Sequence, residues 1–313
     1  MIIKRNFHPL RVWSYIWREV SYSLLLAIII YFIYLQWDQG SQLAIPFTPV
    51  GVLGSALAIF VAFRNQSAYG RWWEARQLWG GIVNSSRVLA RLIITFADSH
   101  SHQPNYDINR STSFKKDMIY RQIAWVHALR LHLRKQKDWE ILKSLLHENE
   151  FYDIIQRQNK PNYLQTIMGR HIYAAMADGT LGGFDSFQIE GQLLALANYQ
   201  GACERIKNTP LPRQYDFFTR LFVWTFATVL PFGLLSLFTV TPNLAWLIIP
   251  LTVLIAGMFT IMDKTGSANE DPFENLVTDV PLTALCNTIE RDLKEQLNEP
   301  LPPKLEPQNG YLW

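Results

Sequence analysis

The sequence predicts an all-α integral membrane protein with four transmembrane helices and a helical cytoplasmic region. Three long runs contain no charged side chain: 18 residues that begin at Val20, 25 residues that end before Arg64, and 42 residues that follow Arg220. Uncharged, mostly apolar runs of about 18 residues or more are typical of membrane spans. Because lipid offers no hydrogen-bond partner to the backbone, each span is expected to be a helix.

The longest run accounts for two spans. Its 42 residues are about twice the length of one span, and a turn signal at Thr241-Pro242-Asn243 interrupts it. Pro231 and Pro250 lie inside the two resulting segments, where membrane helices tolerate proline. The predicted spans are Val20–Trp37, Pro49–Phe63, Leu221–Thr239 and Leu244–Met262.

Positive charge lies on one side of these spans. All 29 Lys and Arg residues, Arg5 and Arg11 among them, lie outside the two predicted hairpin tips at residues 38–48 and 240–243. An excess of Lys and Arg near span ends marks the cytoplasmic side. Both termini and the central segment are therefore predicted to be cytoplasmic. The net charge of +3 follows from this asymmetry and does not indicate nucleic-acid binding.

The residues outside the spans, 64–220 and 263–313, show helical periodicity and weak strand signals. Apolar residues at helical spacing after Phe63 predict that the second helix continues out of the membrane. Ile119–Leu133 predicts an amphipathic helix with one packed and one solvated face, and residues 100–109 predict a loop. Cys203 and Cys286 are predicted to be free thiols. Further helices are predicted at Asp138–Gln156, Tyr163–Ala177, Ile189–Ile206 and Val280–Gln296.

Three stretches stand in a distinctive order relative to the spans. The first is Phe63-Arg64-Asn65, followed by Arg71-Trp72-Trp73-Glu74-Ala75-Arg76 and Leu78-Trp79-Gly80. The second runs from Cys203 to Pro212, and the third is Asn269-Glu270-Asp271-Pro272-Phe273-Glu274, running on to Asp279-Val280-Pro281-Leu282. Together they resemble the bestrophin family, including its bacterial members, over a single channel domain that covers residues 1–313. The resemblance implies a pentamer of four-span subunits in the bacterial cytoplasmic membrane, with a pore on the symmetry axis.

The same resemblance implies a channel for small inorganic ions, with chloride or another anion as the usual permeant ion. Some bacterial relatives are thought to pass monovalent cations, so a sodium-type channel is the alternative. Assembly also has a physical reason. Four helices of one subunit fill their own centre, so a water-filled path needs several copies of one helix around an axis.

Ser55, Ile59 and Phe63 lie four residues apart and share one face of the second span. The resemblance implies that they line a narrow pore neck, where apolar rings can gate by dewetting. Ser55 departs from the family pattern, because relatives tend to be apolar there, and it is expected to widen and wet the neck. From periodicity alone, the apolar pair would instead face lipid or the helix bundle.

Phe184 lies in the glycine-rich stretch 179–186. By the same resemblance it matches a second, cytoplasmic constriction of the pore. A buried core phenylalanine is the alternative interpretation.

Four acidic residues follow the last span: Glu270, Asp271, Glu274 and Asp279. Animal relatives use a denser acidic run here to hold calcium, an ion that prefers oxygen ligands. Pro272 and Phe273 interrupt the run in this chain, which favours a structural turn without a tight calcium site. Asp279 would equally suit a cap for the helix that begins at Val280. No cofactor is therefore expected, and any metal site here would be weak.

Two other classes of function remain as alternatives. A membrane-anchored, metal-dependent enzyme would use the carboxylates of Glu270, Asp271 and Glu274, but no His or Cys joins them at ligand spacing. A helical signalling or scaffold protein would instead dock a soluble partner. The seven histidines form no recognisable metal set, and His127 and His132 are predicted to be solvated surface residues.

Overall fold

The computed structural model describes residues 1–4, 9–104 and 106–313, and the side chains of residues 9–11 are not described. Arg5 and one residue of the predicted loop, Asn105, thus lie outside the described residues. The helices in the described residues are α1 Pro9–Gln36, α2 Phe47–Phe96, α3 Ile108–Leu133, α4 Glu148–Ile155, α5 Lys160–Ala177, α6 Gly183–Asn208, α7 Arg213–Phe238, α8 Ile248–Asn269 and α9 Leu282–Gln296. Short 3-10 helices lie at Gly40–Leu43, Trp139–Ser144 and Pro242–Leu247.

The predicted all-α class is confirmed. Four helical segments of the described chain are long and apolar enough to cross a membrane: Val12–Gln36, Gly40–Phe96, Arg213–Phe238 and Pro242–Asn269. Each corresponds to one predicted span, and α2 continues well beyond its span, as its periodicity predicts. Where the described residues adopt extended structure, they form isolated bridges, such as the one between Ile2 and Tyr311.

The chain divides into two compact units. The first, here called the membrane unit, comprises residues 4–71 and 210–271. In it α2 and α7 approach closely at two glycines. A Cβ atom at Gly54 would lie 2.9 Å from the ring of Phe226, and one at Gly233 would lie 2.8 Å from Val50. Small residues permit such helix packing in lipid, where dispersion contacts rather than the hydrophobic effect hold helices together.

The second unit, here called the extramembrane unit, comprises residues 1–3, 72–209 and 272–313. Helix α3 runs through its core and is buried on almost every side from Met118 to Leu133. The predicted solvated face of this helix is therefore wrong. Its polar side chains are buried because each finds a polar partner: Arg121 with Glu150, at 2.7 Å, is one such pair. The thiols of Cys203 and Cys286 are free, as predicted, and buried.

Several helix boundaries differ from the sequence-based expectation, and two of the differences have a clear local cause. The predicted helix Asp138–Gln156 is broken into a 3-10 helix, Trp139–Ser144, and α4. The break includes His147, which adopts an extended conformation at the N-cap of α4. Helix α9 begins at Leu282 rather than Val280, because Pro281 precedes it as its N-cap in a non-helical conformation, with φ −79° and ψ 71°. Proline cannot donate a backbone hydrogen bond and commonly marks such a boundary.

Candidate functional site

The outward face of α2 in the membrane unit carries the three residues predicted to form a pore neck. Ile59 and Phe63 are 60% and 69% exposed, and Ser55 is also exposed. None of the three packs into the helix bundle of its own subunit, so the bundle interpretation is wrong. The Ser55 hydroxyl donates to the carbonyl oxygen of Gly51, one turn earlier in the same helix, at 3.0 Å.

The opposite face of the same helix is buried. Leu57, Val61 and Arg64 are each at most 3% exposed. Successive residues of an α-helix are rotated by about 100°, so Arg64 points well away from Phe63 although the two are adjacent in sequence. One face of α2 thus packs against α7 and α8, while the face with Ser55, Ile59 and Phe63 is exposed and is not covered by any of the residues that the structure describes.

Arg64 is the centre of a buried polar cluster at the end of this span. Its Nη1 donates to the carboxylate of Asp263 at 2.8 Å and to the backbone oxygen of the same residue at 3.0 Å. Its Nη2 donates to Asp216 at 2.5 Å and to the hydroxyl of Ser267 at 2.6 Å. The carboxylate of Glu270 lies 3.8 Å from Nη2. We call these five residues the Arg64 cluster.

The first helix is tied to the same end of the membrane unit by a separate ion pair. Lys264 of α8 lies 2.9 Å from the carboxylate of Glu19 on α1. The hydroxyl of Tyr15 donates in return to the backbone oxygen of Lys264 at 2.7 Å. Charged and polar contacts therefore join all four candidate spans at the end where the sequence places its positive residues.

Phe184 lies in the first turn of α6, in the extramembrane unit, and is 72% exposed. Its alternative interpretation as a core phenylalanine is therefore wrong for the subunit itself. Asp185 fixes the start of the helix, because its carboxylate accepts hydrogen bonds from the Gly182 N–H at 3.0 Å and from Ser99 at 2.9 Å. Phe187, one turn further on, is equally exposed and is not among the residues that the sequence predicts for the site. Residues three apart share one face of a helix, so the spacing of Phe184 and Phe187 indicates that both lie on the same side of α6.

Two of the four acidic residues that follow the last span, Glu270 and Asp271, belong to the membrane unit and lie beside arginines. Besides Arg64, the carboxylate of Glu270 lies 3.9 Å from Arg213, and that of Asp271 lies 3.8 Å from Arg71. Burial and nearby carboxylates raise the pKa of Glu270, and the two arginines beside it act in the opposite direction.

The remaining two acids lie in the extramembrane unit and also have partners. Glu274 pairs with Lys207 at 2.5 Å, and Asp279 accepts a hydrogen bond from the Leu276 N–H at 3.1 Å. Asp279 therefore closes a turn and does not cap α9, which corrects the capping interpretation. Burial raises the pKa of Asp279, and the backbone hydrogen bonds that its carboxylate accepts lower it.

This donor set does not fit a calcium ion. Calcium takes six to eight oxygen ligands, and the number of charged carboxylates among them tunes its affinity. Glu270 and Asp271 each lie 3.8 Å from an arginine, Glu274 is paired with Lys207, and Asp279 accepts a backbone hydrogen bond in its turn. In the described part of the chain, no group of three or more His, Cys, Asp or Glu side chains is arranged to hold a metal ion.

His127 differs from its sequence-based assignment to the surface. It is 5% exposed, and its Nε2 lies 3.2 Å from the Glu290 carboxylate. His132 is partly exposed and lies 3.6 Å from the carboxylate of Glu204. Both histidines therefore serve the packing of the extramembrane unit.

The sequence of this chain is similar to one protein family and to several of its bacterial relatives. The family model described as Bacterial/Fungal Bestrophin protein matches residues 7–295. The voltage-dependent anion channel-forming protein YneE of Escherichia coli (strain K12) is 32% identical over 322 residues, covering 99% of both chains. The voltage-dependent anion channel-forming protein mll4386 of Mesorhizobium japonicum is 30% identical, covering 84% of this chain and 79% of that protein.

A solved structure shares the fold. The crystal structure of a bacterial bestrophin homolog from Klebsiella pneumoniae matches with a TM-score of 0.79 and 29% sequence identity. The match covers 91% of this chain and 99% of that one.

Proposed function

This chain belongs to the Bacterial/Fungal Bestrophin family, and on that premise we propose that it assembles into an oligomeric channel for small inorganic ions. Anions such as chloride are the favoured permeant ions, because the relatives from Escherichia coli and Mesorhizobium japonicum are named as anion channel-forming proteins. The family and these relatives indicate a channel and not an enzyme.

The observation that carries the proposal is the unpartnered face of α2. Ser55, Ile59 and Phe63 are exposed on a long helix whose other face is buried. If several subunits, five by family resemblance, bring this face to a common axis, the three residues form successive rings around a neck. The apolar rings then control hydration, since constrictions of this kind gate by dewetting.

Selectivity in this proposal does not come from a ring of charges. The stretch from Pro49 to Phe63 contains no charged residue, and Arg64 at its end is buried among carboxylates. Neck radius and the partial charges of Ser55 and the backbone must then discriminate between ions. We further propose that both termini face the cytoplasm, that residues 1–313 act as one channel domain in the cell membrane, and that no resident calcium ion is required.

The test is a reversal-potential measurement on purified protein in planar bilayers with asymmetric potassium chloride. A reversal potential close to the chloride equilibrium potential supports the proposal, whereas one close to the potassium potential assigns the cation alternative. Absence of current from a purified oligomer under every gradient would exclude a channel. Mass photometry of the same detergent-solubilised sample determines the number of subunits.

A further inference from the structure

Arg64 occupies an unusual position for an arginine. It directly follows the neck residue Phe63, yet its side chain is fully buried. Removing a guanidinium from water is costly unless its charge and its N–H groups are matched. Here Asp263 and Asp216 match the charge, and Ser267 accepts a further hydrogen bond from Nη2.

The partners of Arg64 lie on two other helices of the membrane unit. Asp216 belongs to α7, whereas Asp263 and Ser267 belong to α8, one turn apart. A guanidinium presents its donors in a rigid plane, so bonds to both helices fix the direction in which the side chain leaves α2. The cluster consequently opposes rotation of α2 about its own axis and sliding along it.

Two further contacts near the cluster also oppose rotation of α2. Phe60 lies one turn before Arg64 and stacks on Tyr215 of α7, with ring centroids 6.1 Å apart. Next to Arg64, the Asn65 side chain donates to the backbone oxygen of Met262 at 2.8 Å. The side of α2 that is turned away from the neck face is therefore held in two successive turns of the helix, by Phe60 in one and by Arg64 and Asn65 in the next.

We propose that Arg64 is the positioning residue of the neck. It does not contact the permeating ion. By anchoring the buried side of α2 to α7 and α8, it determines which side chains the opposite side presents to the pore. A rotation of α2 by one residue, about 100°, would replace Phe63 at the neck by a neighbouring side chain. This inference rests on the proposed function, and its test distinguishes failure of the positioning role from failure of the pore neck itself.

The test measures how fast an anionic, membrane-impermeant methanethiosulfonate reagent modifies single cysteines. A Cys203→Ala, Cys286→Ala background removes the two natural thiols, both of which are buried. Reporters are Ile59→Cys and Phe63→Cys on the neck face and Phe60→Cys beside the Arg64 cluster. With Arg64 in place, the neck reporters should react roughly tenfold or more faster than Phe60→Cys, because only they face water.

Arg64→Lys keeps the charge and removes the planar fork. In this variant we expect the ratio of neck to Phe60→Cys modification rates to fall by roughly tenfold. Ser267→Ala removes one hydrogen-bond acceptor of Arg64 and no charge, and it should lower the same ratio by roughly twofold to threefold. This variant provides the test if Arg64→Lys does not fold. Arg157→Lys is the matched control, since Arg157 also pairs with a carboxylate, that of Asp153, but in the extramembrane unit.

Three results of this experiment have different consequences. If Arg64→Lys and Ser267→Ala lower thermal stability but leave the modification pattern unchanged, Arg64 only stabilises the fold and the positioning role is overturned. If the neck reporters do not react even with Arg64 in place, the neck itself is wrong and the proposed function fails. A collapsed rate ratio with Arg157→Lys unaffected supports the positioning role.

Discussion

The Nε2 atom of His127 on α3 lies 3.2 Å from a carboxylate oxygen of Glu290 on α9, and both side chains are largely buried. Lys294 approaches the other oxygen of the same carboxylate at 2.7 Å. The hydrogen bond from His127 is the largest influence on this group. With the contribution of Lys294 it lowers the pKa of Glu290 to about 2, against the opposing effect of burial.

This pair predicts an acid-sensitive contribution to the stability of the extramembrane unit. Because the pKa of Glu290 is lower in the folded state, its stabilisation is fully present above the unfolded value of 4.5 and is lost as the pH falls from there towards 2. Glu290→Gln should therefore lower stability by about 2 kcal/mol at pH 7 and by little near pH 2.

Thermal unfolding of the purified protein at a series of pH values measures this effect. Glu295→Gln, on the exposed side of the same helix, is the control and should change the unfolding temperature little at any pH. Equal losses for Glu290→Gln at pH 7 and pH 3 would contradict the ionic origin of the effect.

The four spans and the continuation of α2 follow from local sequence, because charge-free runs and apolar periodicity are properties of neighbouring residues. Partner choice is not local. Nothing near Arg64 in sequence shows that it is buried, since its partners Asp216 and Asp263 lie 152 and 199 residues away. The same applies to His127, whose partner is 163 residues away, which explains its wrong assignment to the surface.

The close approach of α2 and α7 predicts that replacing Gly233 of the membrane unit lowers stability. A Cβ atom at Gly233 would lie 2.8 Å from Cγ2 and 3.0 Å from Cβ of Val50, which is too close without displacement of a helix. Gly233→Ala should therefore cost about 1 to 3 kcal/mol through overpacking.

The matched control is Gly51→Ala on α2, where the new Cβ would meet only the ring of Phe47, at 3.6 Å. This variant should leave stability unchanged or raise it slightly, because alanine favours a helix more than glycine does. Detergent-solubilised protein followed by thermal unfolding gives the comparison. Two variants of equal stability would show that α2 and α7 do not pack as described.

The pairing of Glu274 with Lys207, whose side chain is 7% exposed, leads to a prediction about calcium. A calcium ion would have to displace this lysine, and at Glu270 and Asp271 it would have to displace arginines. We therefore expect that millimolar calcium, compared with a chelator, changes the bilayer current by less than about twofold.

Magnesium at the same concentration is the control for surface-charge screening and should act to the same small extent. A calcium response at micromolar concentration that magnesium does not reproduce, and that Glu274→Gln removes, would disprove this expectation.

The neck residues allow a final prediction, which concerns conduction itself. If Ile59 and Phe63 form apolar rings around a hydrated axis, shortening either side chain widens the ring and lowers the cost of wetting it. Ile59→Ala and Phe63→Ala should each raise single-channel conductance or open probability by roughly twofold to tenfold.

Leu254→Ala on α8 is the matched control, because Leu254 is as exposed as Ile59, at 60%, and is equally apolar. Leu254 belongs to α8 and not to the face of α2 that carries Ile59 and Phe63, so its truncation should leave the conductance unchanged while removing a similar apolar surface. Should all three variants conduct like the wild type, Ile59 and Phe63 would form no constriction, and the pore would have to lie elsewhere. A change confined to the two α2 variants would locate the narrowest part of the ion path on the face opposite Arg64.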